Sequence, residues 1–318
     1  MDPSGVRVGW AVAYLWRVAA TSALGLTLLP GARELLALQA RALPQRDDLC
    51  GAFCGALALG AAGLVSREGE PLDQDAVAVA AGSTISPPRG GALPHGEPGR
   101  RDYRVALPEL ADWALSGTTA GGVVRALNEL SGGAVAAVPY SGRWTRETLG
   151  GLFEVTAGMS RPATLIANLA TRYLWGGRPS AAEVLAELLD GDAGGPEPDW
   201  DVGHFVCVFG RVDGPGGSLY GVADTYPALG DGGVHLQPPR HLAAAIERRE
   251  LPAGGVIAVV AAEEAAALRA GAAALGLREG LWDNGSVEAG AREDAGEAPA
   301  GGAVGDGEEE RRRRGARG

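Results

Sequence analysis

Gln45, Cys50, His204 and Asp224 lie in an order, amide, thiol, imidazole, carboxylate, that supplies every group a thiol-based acyl transfer needs. A thiolate attacks a carbonyl, an imidazole moves the proton, a carboxylate orients the imidazole, and an amide donor steadies the oxyanion. Cys50 stands where the polar loop Gln45–Asp48 meets a run of small apolar residues (Cys50-Gly51-Ala-Phe-Cys54-Gly55). That boundary predicts a helix N-terminus, where free amides and the positive end of the dipole favour a thiolate. Asp47 and Asp48 oppose this unless their charges are engaged elsewhere. Cys54, one turn later, reads as structural.

His204 opens an alternating run in which His204, Val206 and Val208 share one face of a strand and Phe205, Cys207 and Phe209 the other. The midpoint of 204 and 224 is 214, inside the turn-rich Asp213-Gly-Pro-Gly-Gly217. A hairpin folded symmetrically about that loop sets Asp224 directly opposite His204. There the carboxylate fixes the imidazole tautomer. His95, His235 and His241 have no spacing partner and are expected at the surface.

The elements that must position these groups read as follows. Gly31–Ala42 is a short amphipathic helix, and Cys50–Val65 a buried one. Gly51, Gly55 and Gly60 cost the latter about 1 kcal/mol each in propensity, so packing must hold it. Helices are expected at Leu72–Ala81, 107–115, 119–131, Thr145–Phe153 and Ser180–Leu189, the last with a capping box of Ser180 and Glu183. Strands are expected at Ala134–Pro139, Pro162–Leu169, His204–Gly210, Leu219–Asp224 and Gly255–Val260, with an alanine-rich helix over 262–275. Helices first and strands later make an α+β arrangement.

Three cysteines describe no disulfide framework, which points to a reducing, cytoplasmic setting. Residues 6–29 are mildly apolar but interrupted by Arg17; an N-terminal extension, poorly ordered or helical over 1–30, is the simpler reading and a secretory leader the alternative. No run of 18 apolar residues predicts a membrane span. A net charge of −11 with 5% aromatic residues argues against a nucleic-acid surface. Lysine is absent, which excludes a P-loop lysine and a pyridoxal Schiff base. Prolines 87, 88, 94 and 98 mark a long loop, and the Gly-, Ala- and charge-rich tail over 281–318 is expected to be disordered.

Gln45, Cys50-Gly51, Cys54, Gly203-His204-Phe205-Val206 and Asp224 together resemble the papain-like cysteine peptidase superfamily, and most of all its bacteriocin-processing (C39-type) branch. The resemblance implies one papain-like domain over 31–280. In it, an N-terminal helical part carrying Cys50 packs on a C-terminal antiparallel sheet carrying His204 and Asp224. It implies a cysteine peptidase or related thiol acyl transferase acting on a peptide or protein substrate, with no cofactor. Cys50 would be nucleophile, His204 base and acid, Asp224 the orienting carboxylate and Gln45 the oxyanion donor. Two departures stand out. The gap from Gln45 to Cys50 is one residue shorter than the family's usual one. The Cys50-to-His204 interval (204 − 50 = 154 residues) is long, which implies an insertion around 82–150. Two other readings compete. One is a papain-like module that binds a peptide or protein without catalysis; the other is a zinc site built from Cys50, Cys54, His204 and Cys207.

Overall fold

The most apolar runs of the chain become the centre of its sheet. The computed structural model describes residues 25–88, 93–248 and 254–289. Strand β5 (Thr164–Ala170) is buried along its whole length and β9 (Gly255–Ala261) along nearly all of it, as unbroken runs of Val, Ile, Leu and Ala require when both sheet faces are covered. Around them, β4 (Val135–Ser141), β6 (Gly203–Asp213), β7 (Ser218–Ala223), β8 (Val234–Gln237) and β10 (Arg278–Glu279) complete the order β10-β4-β9-β5-β6-β7-β8. Strand β1 (Gly25–Leu28) pairs with the far end of β6, and every pairing in this sheet is antiparallel. A separate ribbon pairs β2 (Ser66–Arg67) with β3 (Glu70–Pro71).

One face of the sheet carries α1 (Ala32–Ala42), α2 (Cys50–Ala61), α3 (Gln74–Ala81), α4 (Ala120–Leu130) and α6 (Ala181–Asp190). The other carries α5 (Arg146–Ala157), α7 (Pro239–Glu247) and α8 (Ala265–Ala274). Two cores result, and alternation along β6 divides them: Phe205, Cys207 and Phe209 face α2, while Val206 and Val208 face α5 and α7. Helix α2 is apolar all round because it lies among α1, α3, α4 and the sheet. Its glycines permit that fit: a Cβ on Gly51 would stand 3.0 Å from Thr118 and 3.2 Å from both Phe205 and Val123.

The mixed α+β class holds, but strands and helices interleave rather than follow one another. The capping box of Ser180 and Glu183 is present at α6. Four expectations need correction. The insertion is not 82–150: β4 pairs with β9 in the main sheet and α4 packs on α2 and α3, so 120–150 is integral. The excursion is the long loop after α3, which returns when Ile85 bridges Glu109 and Thr84 bridges Gly117. Those bridges take the backbone where a helix was expected over 107–115, leaving one short turn, Trp113–Leu115. The extension assigned to 1–30 ends earlier, since Gly25–Leu28 is a sheet strand; the rest of that expectation lies outside the described residues. The tail expected from 281 begins later, because residues 282–289 bond to the segment 115–120 and to Gly82; positions 290–318 lie outside the described residues. Among the described residues, no helix is long and apolar enough to cross a membrane.

Candidate active site

Cys50 is the first residue of α2, and Leu49 before it supplies no side-chain cap, so the first-turn amides have no side chain competing for them. The thiol is half-buried, whereas Cys54 and Cys207 are fully inside. Burial, reinforced by Cys207, pushes the Cys54 thiol well above its ordinary range. Cys50 therefore stands apart from the other two. The two acids beside it are engaged: Asp48 accepts from the Ser86 amide (2.8 Å) and hydroxyl (2.7 Å), and Asp47 from the Arg100 amide (2.9 Å).

His204 lies at the start of β6, 2% exposed, with its Nε2 2.9 Å from Asp224 Oδ1 and 3.2 Å from the Thr225 hydroxyl. The Cys50 thiol lines the same cleft and adds to the pull on the ring's proton. Burial alone would depress the imidazole, but Asp224 and Cys50 outweigh it and hold His204 up at about 10. Trp200 meets the ring edge-on at 4.9 Å and Tyr226 stacks on it at 6.2 Å. The strand register differs from the symmetric hairpin. Ala223 sits opposite Cys207 rather than Phe205, because the turn is centred later, at Gly214–Gly217; the register shift between Val208 and Gly210 takes back only one residue of that offset. Asp224 consequently lies just past the end of β7 and reaches back to His204 instead of facing it across the ladder.

Asp224 is a hub. Its Oδ1 also accepts the Thr225 amide at 2.6 Å, and its Oδ2 meets His235 Nε2 at 3.1 Å. Burial would raise this carboxyl, yet the two histidines hold it well below the usual carboxylate range. His235 is not at the surface as expected but only 7% exposed. Its tautomer follows from its neighbours. Gln237 accepts the Trp175 amide on Oε1 (2.7 Å), so its Nε2 must donate to the Trp175 carbonyl (2.9 Å) and to His235 Nδ1 (2.9 Å). Nδ1 is thus an acceptor, and the proton on Nε2 goes to Asp224. No spacing rule would have found this pair, since β8 is short and its His and Gln look solvent-facing. His95 is exposed and His241 half-buried.

Gln45 is 2% exposed, anchored by its amide to the Thr225 carbonyl (2.9 Å), and its Nε2 donates to the Tyr226 hydroxyl (3.0 Å). Its Oε1 is buried without a partner. Gln45, Cys50 and His204 line one cleft of about 400 Å³, and Asp224 lies behind His204. Arg248, which spacing did not single out, also lines it. Among the described residues no three His, Cys, Asp or Glu side chains are grouped as metal ligands would be. Cys207 points with Phe205 into the α2 core, where its thiol meets the Cys54 carbonyl at 3.9 Å, so the competing zinc set does not assemble.

These features define a mixed α+β protein in which a helix N-terminus and a strand end bring a thiol and an imidazole to one cleft, with a carboxylate behind the imidazole. The chain belongs to DUF6885, a family of unknown function, whose model matches residues 29–283. None of the curated proteins matches it.

Proposed function

We propose that the protein is a papain-like cysteine peptidase or related thiol acyl transferase acting on a peptide or amide bond. The observation that carries this reading is the buried His204–Asp224 pair at 2.9 Å, with His204 lining the same cleft as Cys50, the most accessible of the three cysteines. Asp224 and Thr225 occupy Nε2, so Nδ1 is left for the thiol. A Cys50 thiolate beside a protonated His204 attacks the carbonyl carbon, and electrons move onto its oxygen. The Cys50 amide and Gln45 Nε2 are the donors offered to that oxyanion. His204 then gives its proton to the departing amine as the C–N bond breaks. Water or a second amine, deprotonated by His204, attacks the thioester and releases Cys50.

One observation favours a binding module instead. Gln45 Nε2 already donates to Tyr226, and an oxyanion donor should be able to turn to substrate. Timed alkylation with iodoacetamide at neutral pH, read by mass spectrometry at each cysteine, separates the two readings. The enzyme reading expects Cys50 to be labelled first, and about tenfold or more slower in His204→Ala. Equal, slow labelling of Cys50, Cys54 and Cys207 in the native protein would refute it.

A further inference from the structure

Arg248 ends α7 in the left-handed region (φ 48°) and is only 3% exposed, yet it lines the cleft. Its Nη1 donates to Asn168 Oδ1 at 2.8 Å, an oxygen already accepting Trp282 Nε1 at 3.0 Å. Its Nε is buried with no hydrogen-bond partner. Among the described residues no carboxylate pairs with it; Asp283 attracts it from beyond ion-pair distance. A guanidinium held this way, on one neutral partner, is costly unless something else completes it.

The surroundings say what and where. With Nη1 taken by Asn168 and Nε buried out of reach of solvent, Nη2 is the donor left to meet one oxygen of a carboxylate. Residue 203 beside it is glycine, and a Cβ there would stand 3.2 Å from Nη2. Gly203 immediately precedes His204, so an anion held here lies next to the reacting groups. Asp47, Asp48 and Asp201 also line the cleft, with Arg101 and Arg172 beside them to offset their charge.

We infer that Arg248 recognises a carboxylate of the substrate close to the bond attacked, so that the substrate class is a peptide or acyl amide bearing an acidic group beside the scissile carbonyl. This inference rests on the thiol reading of Cys50. Two sources of that carboxylate are open, a free chain terminus and an acidic side chain.

Chloroacetyl probes test it on the full chain. The Cys50 sulfur forms a bond to the probe's methylene carbon and chloride leaves. Chloroacetyl-glycine is compared with chloroacetyl-glycinamide, and chloroacetyl-aspartic acid α-amide, whose only carboxylate is in its side chain, with chloroacetyl-asparagine amide. The rate at Cys50 is expected to be about tenfold higher for the acid of one pair or the other. The first pair responding identifies a terminus, the second a side chain. The acid-to-amide ratio should fall toward one in Arg248→Gln and, as a second variant, in Gly203→Ala. Using each variant's own ratio keeps the result free of general damage to the fold. Ratios near one in the native protein, with Cys50 still labelled ahead of Cys54 and Cys207, would overturn the carboxylate site and leave the thiol reading standing. An acid preference that survives both substitutions would overturn it too. Failure of every probe to prefer Cys50 would remove the thiol reading and this inference together.

Discussion

A single carboxylate, Asp224, serves two histidines. His204 is held protonated, and His235 accepts from Gln237 on Nδ1 and turns Nε2 to Asp224. The His204 imidazolium adds stability that is complete below its ordinary value of 6.5 and is lost as pH rises through about 10. Asp224 contributes stability that is complete above 3.8 and is lost as pH falls through its lowered folded value. The pair is therefore at full strength between about pH 4 and 6.5. Thermal unfolding of the native protein should show the midpoint falling from pH 6.5 to 10, with a flatter profile in His204→Gln; parallel profiles would contradict the raised imidazole. His235→Phe keeps the ring volume but leaves Asp224 Oδ2 buried and unpaired. That substitution should cost about 1–3 kcal/mol in urea unfolding. It should also slow Cys50 alkylation, because Asp224 then orients His204 less firmly. His235 is a positioning residue on this account, and rescue by His235→Asn, which retains a donor, is the outcome a purely steric role would not produce.

Helix α2 makes a sharper test of packing than of propensity. Replacing a helical glycine by alanine gains roughly 1 kcal/mol from propensity alone, so the sign of the net change reports the surroundings. At Gly60 the new methyl meets the end of one flexible side chain, Leu38. At Gly51 it meets Thr118, Phe205 and Val123 together, and three neighbours on different elements cannot all yield. Unfolding free energies from denaturant titration should rise or hold for Gly60→Ala and fall by about 1–3 kcal/mol for Gly51→Ala. Equal changes would mean α2 is looser than drawn. The same helix shows what was readable beforehand. Its start at Cys50 and its all-round apolar surface were legible, as were β5, β9 and the α6 capping box, because each is a local pattern of one period. The strand β8 was not, since Val-His-Leu-Gln buries two polar side chains that only the distant Asp224 and Trp175 satisfy. Helix α7 carried the Pro-Pro signal of a helix start and went unread. In the candidate site, the grouping of Cys50, His204 and Asp224 could be anticipated by type and order, while the exact reach of Asp224 depended on a hairpin register that composition does not disclose. Arg248 was invisible because nothing local distinguishes a buried arginine from an exposed one.

On the scale of the whole molecule, the cleft is bounded by pieces far apart in the chain, and residues 281–289 tie several of them together. Trp282 Nε1 bonds to Asn168 on β5, and Asn284 bonds to Ala120 and Thr118 at the start of α4. Val287 bonds to Leu115, Glu288 pairs with Arg125 at 3.0 Å, and Ala289 reaches Gly82. Net hydrogen-bond gains of about 0.5–1.5 kcal/mol each are of the same order as the entropy lost in fixing nine residues, about 1–2 kcal/mol apiece, so the bonds alone do not hold this segment down. The apolar contact of Trp282 must tip the balance. Its ring lies so close over Gly255 that a Cβ there would stand 2.5 Å away. A chain ending after Glu279 should melt at a lower midpoint than one ending after Ala289, by about 2–4 °C per kcal/mol lost. Trp282→Ala in the full chain should reproduce most of that loss. If the shorter truncation is harmful and Trp282→Ala is not, the polar bonds and not the indole anchor the segment, and the balance struck here is wrong.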